Sequence, residues 1–219
     1  MKTKGKKLLL LTMILCAMAW ILPTVKSEAA SAPTVPKKLT VMYYDVTNTY
    51  KNQQRLSLSG IKLNTTVKFS NIKSSKASVL KAQKSGNQLL LTLKKPGTSV
   101  VSFKAKVSGK TYTYKCTVKV VKYANPFKSF TIGSKNYTSK FNKVEDSNWN
   151  FFGSTLSGKV KITTKSGWKL TELGVWNRTT NVYKKIKNNT TVKIKSGYTL
   201  ECYLTNTKTG AKLEIFIAR

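Results

Sequence analysis

Residues 97–120 read GTSVVSFKAKVSGKTYTYKCTVKV, and the fold class can be inferred from this stretch first. Within 101–107 the apolar residues occupy every second position, and the same alternation returns within 112–120. An alternation of period two places the apolar side chains on one face of a β-strand. The Ser-Gly pair at 108–109 is a turn signal between the two runs. The stretch therefore predicts two β-strands joined by a tight turn, each with one buried face.

Shorter runs of the same kind precede this stretch. Together with it they predict seven short strands in about 85 residues, separated by turn signals such as Lys95-Pro96-Gly97. No segment of useful length has apolar residues at helical spacing. Many short strands at this spacing are typical of a β-sandwich. The five preceding runs lie at 39–43, 56–58, 67–69, 79–80 and 89–93.

The motifs of this region resemble a bacterial Ig-like domain of group 2, over residues from about 38 to 122. The resemblance is carried by VKFS at 67–70, SSKASVL at 74–80, KPGTSVVSFKA at 95–105 and GKTYTYKCTVKV at 109–120. It implies a β-sandwich that serves as a spacer or adhesion module on bacterial surfaces. It implies no catalytic residue and no fixed ligand site, because a fold alone does not determine which ligand a protein binds.

A second β-region follows residues 123–128, which are predicted to be a short linker. Residues 129–219 again show alternating runs and turn signals, and they predict a second β-sandwich domain without a recognised family. Leu170 cannot share a face with Leu173 unless the strand carries a bulge near Thr171-Glu172. The fold class is therefore all-β, with two consecutive β-sandwich domains.

The N-terminus predicts a secretory signal peptide over residues 1–29. Four early lysines precede an uncharged apolar stretch at 8–22, and small residues follow from Ser27. Residues 30–37, with two prolines, are predicted to be a flexible leader. No second long apolar run follows, so we expect a secreted protein whose mature chain has no transmembrane segment.

The charge of the chain is strongly one-sided. It carries 40 basic and 7 acidic side chains, net +33, and no histidine. Residues 1–29 hold five lysines and one glutamate, so 35 basic and six acidic side chains remain without them, net +29. Solubility of a small domain needs a net charge of only about 2–8. A field of one sign attracts polyanions, so we expect anionic polysaccharides or wall polymers as partners. Because of the export signal, no physiological nucleic acid is expected.

Lysines at outward strand positions are the candidate polyanion-binding residues. Their alternative role is to solvate a sheet face and discourage edge pairing. Charge-based retention at a bacterial wall would follow from the binding role. The candidates are Lys104, Lys106, Lys115, Lys119, Lys161, Lys193 and Lys195.

Aromatic residues of the second region support an alternative function, a carbohydrate-binding module. Trp149, Trp176 and Tyr183 lie in polar surroundings, where aromatic rings can stack on sugars. The competing interpretation is that the large aromatics, above all 151–152 and Trp168, fill the second core. A third possibility is a structural spacer that binds no polymer.

The residues present argue against catalysis. The chain has no histidine, so a histidine cannot serve as a general base. A glycosidase needs two carboxylates that face each other across a cleft. Glu145 and Asp146 are adjacent, while Glu201 and Glu214 are expected on solvated strand faces. No metal site and no cofactor are expected. Cys116 and Cys202 fall on apolar faces and are predicted to be core residues of separate domains, with a disulfide between them as the alternative.

Overall fold

The computed structural model describes residues 32–46, 49–142, 149–151 and 153–218. The predicted signal peptide at 1–29, residues 30–31 of the predicted leader and the Glu145-Asp146 pair lie outside this part of the chain. Within it, no helix has the length and apolar character needed to cross a membrane.

Seven strands build the first sandwich, as the alternation predicted. They form a four-stranded sheet in the order β1-β7-β6-β3 and a three-stranded sheet in the order β2-β5-β4. The strands are β1 (Lys38–Tyr43), β2 (Gln53–Ser57), β3 (Val67–Ser74), β4 (Leu80–Ser85), β5 (Gln88–Leu93), β6 (Gly97–Val107) and β7 (Lys110–Lys122).

This strand order is immunoglobulin-like. The second, fourth and fifth strands share one sheet, and the third, sixth and seventh share the other, as in an immunoglobulin sandwich. The first strand runs parallel to the last, from the Lys38–Thr117 pair to the Tyr43–Lys122 pair. Between the sheets lies an apolar core in which Leu80, Leu89, Leu91 and Val101 are fully buried.

The second sandwich is also built of strands on two sheets. A five-stranded sheet has the order β10-β16-β15-β12-β13 and a four-stranded sheet the order β14-β11-β8-β9. The fold class predicted from the sequence, all-β with two sandwiches, is confirmed. The strands are β8 (Phe127–Ile132), β9 (Lys135–Asn136), β10 (Trp149–Phe151), β11 (Leu156–Thr164), β12 (Trp168–Asn177), β13 (Val182–Lys185), β14 (Thr191–Ile194), β15 (Tyr198–Asn206) and β16 (Lys212–Ala218).

The predicted bulge is present. The register between β12 and β15 shifts between Leu170 and Glu172, so Leu170 opposes Leu204 and Leu173 opposes Cys202. The extra residue lets the apolar side chains on both sides of the bulge keep to the core face. Two 3-10 helices, Thr49–Asn52 and Thr138–Phe141, complete the described elements.

The segment predicted to be a linker, 123–128, is instead packed against the second sandwich. Strand β8 begins inside it at Phe127, and Asn125 and Phe127 are buried. The Asn125 amide donates to the Thr138 carbonyl and to the Asn142 side chain, at 2.9 and 2.8 Å, and its oxygen accepts from the Phe127 N–H. These bonds hold the backbone through Pro126, which has no N–H of its own.

Residues of β1 and the loop after it also reach the second core. Met42 and Tyr44 are buried in the same cluster as Phe127 and Phe130. The Tyr44 and Tyr123 rings lie 5.2 Å apart, and the Thr40 hydroxyl donates to the Thr209 carbonyl at 3.0 Å. The two sandwiches are therefore joined by shared packing, within one compact unit.

Candidate polyanion-binding face

Four of the seven candidate lysines lie on one exposed surface. In β6 and β7 the buried residues Val101, Phe103 and Cys116 alternate with outward residues. This places Lys104, Lys106, Lys115 and Lys119 on the outer face of the β1-β7-β6-β3 sheet, where all four are exposed. Three exposed lysines that the sequence did not single out share this face. We call the seven residues the basic face: Lys38, Lys68, Lys73, Lys104, Lys106, Lys115 and Lys119.

The strand register sets the spacing of these lysines. Lys106 opposes Lys68, and Ser102 lies between its partners Lys73 and Lys115. Neighbouring strands are about 4.8 Å apart, and alternate residues of one strand are roughly 6.7 Å apart. Each lysine therefore lies roughly 5–8 Å from its nearest neighbour on this face. This is about one Debye length or less at physiological salt, so the fields of neighbouring lysines add.

Carboxylates do not offset this field. The only carboxylate described in the first sandwich is Asp45, which follows β1 and accepts a 3.2 Å bond from Lys122. The other described carboxylates, Glu172, Glu201 and Glu214, belong to the second sandwich. Across the described residues, the basic face therefore has seven cationic side chains and no acidic one.

The other three candidate lysines lie on a different sheet. Lys161 opposes Thr131 on β8, and Lys193 opposes Ser157 on β11, so both are on the outer face of the β14-β11-β8-β9 sheet. Lys195 follows the end of β14, with its ammonium 5.4 Å from the centre of the Tyr198 ring. The structure therefore divides the seven candidates between the two sandwiches.

Two of the three candidate sugar-stacking residues are brought together. Trp176 on β12 directly opposes Tyr183 on β13, the exposed edge strand. The Trp176 indole donates to Asn181 at 3.2 Å, and the Tyr183 ring covers Gly174, where a Cβ would overlap it. Trp176 is half-buried and Tyr183 is 39% exposed.

Trp149 lies on β10, at the other edge of the same sheet. Three strand spacings separate β10 from β12, roughly 14 Å, so the Trp149 backbone is not beside the Trp176–Tyr183 pair. Trp168 belongs to the competing interpretation, in which large aromatics fill the second core. It is partly buried and packs against that core.

Hydrogen bonds fix the position of Tyr183. Its hydroxyl donates to Glu172 at 2.8 Å, and Lys185 donates to the other carboxylate oxygen at 2.9 Å. The bond from Lys185, and next that from Tyr183, hold the pKa of Glu172 below its usual value. Burial, with the Glu172 bond, raises the pKa of Tyr183. The phenol therefore stays neutral at physiological pH, and its ring is held over the sheet.

Glu201 differs from the expectation of a solvated carboxylate. It is only 6% exposed and accepts a 2.7 Å bond from the Tyr203 hydroxyl. Its position on β15, opposite Gly174 on one side and Phe216 on the other, explains this burial in the middle of the sheet. Glu214 is exposed, as expected.

Cys116 and Cys202, the two cysteines in the described part of the chain, are buried free thiols. Cys116 belongs to the first core and Cys202 to the second, which confirms the prediction that each is a core residue. Burial raises the pKa of both thiols. They pack as small apolar side chains in separate sandwiches.

No protein-family model matches the chain, and no curated protein matches it. Among solved structures it is similar to the YadV chaperone (10% identity, TM-score 0.29), over 85% of this chain and 98% of that one. It is also similar to Drosophila N-cadherin EC1-3, with 10% identity and a TM-score of 0.31, over 86% of this chain and 66% of that one. A third similar structure is BT4661, a SusE-like surface-located polysaccharide-binding protein of Bacteroides thetaiotaomicron, with 11% identity and a TM-score of 0.26, over 85% of this chain and 34% of that one. Because these TM-scores lie below 0.5, the Ig-like assignment rests on the strand order.

Proposed function

We propose that this protein is a secreted, non-catalytic binding protein that associates with anionic polymers of a bacterial wall or a host surface. The observation that carries the proposal is the basic face, on which seven exposed lysines share one sheet surface without a described carboxylate. The resemblance of residues 38–122 to a bacterial Ig-like domain of group 2 supports a surface role.

The physical case rests on the sum of weak interactions. One exposed ion pair contributes only about 0.2–1 kcal/mol. Several lysines spaced roughly 5–8 Å from their neighbours, however, act together on a polymer that carries a charge in every repeat. Such binding is multivalent, needs no deep pocket and weakens as salt screens the charges.

The folded protein is expected to be retained on immobilised heparin and on immobilised teichoic acid at physiological salt. It should elute only as salt rises above that level, because screening shortens the range of the lysine field. A neutral dextran matrix is the control and should not retain it. Elution from both charged matrices at physiological salt or below would contradict the proposal.

The Trp176–Tyr183 pair supports a second candidate function, binding of a neutral carbohydrate. The two rings oppose each other at an exposed sheet edge, and Tyr183 is held there by Glu172. Aromatic rings present an apolar face to a sugar while their polar tips stay hydrated. Such binding would be insensitive to salt, which separates it from the polyanion function.

For this second function, Trp176→Ala is expected to weaken binding to a responding glycan about fivefold, since a ring contact contributes about 1 kcal/mol. The measurement is a glycan array followed by titration of the best ligand at high salt. Tyr137→Ala, an aromatic change in another part of the second sandwich, is the matched control. Equal binding by the Trp176 variant and the unmodified protein would refute a sugar platform at this edge.

A further inference from the structure

Two lysines of the basic face oppose each other directly. Lys68 on β3 and Lys106 on β6 are register partners at the end of the sheet where β6 turns into β7. Like charges placed directly opposite each other destabilise a pair of strands. No carboxylate among the described residues of this face offsets the repulsion. The pair is therefore an electrostatic cost that a bound anion would relieve.

The same two lysines line a depression of about 480 Å³. Its other walls come from the loop before β3, with Thr65 and Thr66, and from the β6–β7 turn, with Ser108 and Gly109. Three hydroxyl-bearing residues and two lysines thus line the depression. Hydroxyl and ammonium groups both donate hydrogen bonds to oxyanions.

Both walls are held by contacts of the protein itself. The Asn87 side chain accepts from the Val67 N–H and donates to the Thr65 carbonyl, each at 3.1 Å. In the opposite wall, Ser108 and Gly109 have φ values of 48° and 82°, the left-handed conformations of a tight hairpin turn. Because the walls are held in place beforehand, a ligand would have little backbone left to order.

We propose that this depression is a specific site for a tetrahedral oxyanion, a sulfate or phosphate group, in preference to a carboxylate. The site would hold one such group of a polymer chain that runs along the basic face, so this inference rests on the proposed function. A tetrahedral group offers at least three acceptor oxygens around its axis, whereas a carboxylate offers two in one plane. The two lysines and three hydroxyl-bearing residues that line the depression supply more donors than the two oxygens of a carboxylate can accept in one plane.

The direct test is a titration of isotope-labelled protein with inorganic sulfate, inorganic phosphate and acetate at constant ionic strength, followed by amide NMR shifts. Sulfate and phosphate are expected to give saturable shifts at residues 65–68 and 106–109, with acetate at least fivefold weaker. The double variant Lys68→Gln/Lys106→Gln should lose about tenfold in affinity for sulfate. Lys76→Gln/Lys95→Gln removes the same charge from exposed positions outside the basic face and should retain the affinity.

Thermal unfolding supplies a second readout. In a buffer without sulfate or phosphate, Lys68→Gln is expected to raise the melting temperature, because it removes the repulsion from Lys106. In sulfate the order should reverse, since the unmodified protein binds the ion more tightly and is therefore stabilised more by it. Equal affinity for acetate and sulfate, or equal losses in the two double variants, would overturn the inference.

Three matrices identify the source of the group and separate this site from the proposed function. The Lys68/Lys106 double variant should elute earlier from a sulfated glycosaminoglycan, from poly(glycerol phosphate) or from both. On a polyuronate the shift should be smaller, because only the general attraction of two lysines is lost there. Loss of all polymer retention in a protein that still binds inorganic sulfate would refute the proposed function alone. Full retention without saturable binding of either inorganic ion would refute this site alone.

Discussion

Replacement of Phe127 by alanine is expected to lower the free energy of unfolding by about 4 kcal/mol, roughly a thousandfold in the folding equilibrium. Phe127 is fully buried, and its ring centre lies 5.0 Å from that of Phe130 and 4.7 Å from that of Phe141. Removing the ring loses its apolar burial and leaves a cavity between two rings that β8 and a 3-10 helix hold in place.

Chemical denaturation followed by fluorescence measures this loss. Phe127→Leu keeps most of the volume and should cost less than half as much. Leu63→Ala is the matched surface control, because Leu63 is 92% exposed, and its effect should stay within about 0.5 kcal/mol. A loss below 1 kcal/mol in Phe127→Ala would show that this aromatic cluster does not stabilise the junction between the sandwiches.

Alternation made most of the fold predictable. In 97–120 the period of two identifies the buried side chains directly, and β6 and β7 follow it residue by residue. The bulge near Glu172 was predictable for the same reason, because a change of phase between Leu170 and Leu173 has to be absorbed by an extra residue.

Strands that bury little were not predictable. All four residues of Val182–Lys185 are exposed, so no alternation of apolar side chains marks β13. This strand is defined by its backbone pairing with β12 across a short hairpin, and not by the burial of its own side chains. The segment 123–128 likewise has the composition of a linker. Its fixed position depends on bonds from Asn125 to residues 13 and 17 positions further along the chain.

The candidate site, like the fold, was only partly predictable from the sequence. The outward direction of Lys104 and Lys115 follows from the alternation of their own strands. Their grouping with Lys68 and Lys73 depends on the pairing of β3 with β6, and no local pattern contains that register. The sequence could therefore identify single cationic positions and the overall charge, but not which lysines form one surface.

Neutralising five lysines of the basic face is expected to weaken binding to an anionic polymer by roughly seventyfold at low salt. The variant replaces Lys38, Lys73, Lys104, Lys115 and Lys119 by glutamine. An exposed ion pair contributes about 0.5 kcal/mol, so five contribute about 2.5 kcal/mol. Lys68 and Lys106 stay in place, so the depression between them is not changed. The measurement is the dissociation constant for heparin at several salt concentrations, and its salt dependence should become shallower.

A matched control variant distinguishes the contribution of the basic face to binding from the contribution of the net charge. Lys62, Lys76, Lys81, Lys84 and Lys95 are also exposed in the first sandwich but lie outside the basic face. Their replacement by glutamine removes the same five charges. If attraction came only from the total charge of the protein, both variants would lose the same affinity. Because neighbouring lysines on one surface act together on a bound chain, the basic-face variant should lose at least tenfold more than the control. Equal losses would contradict a defined binding surface on this sheet.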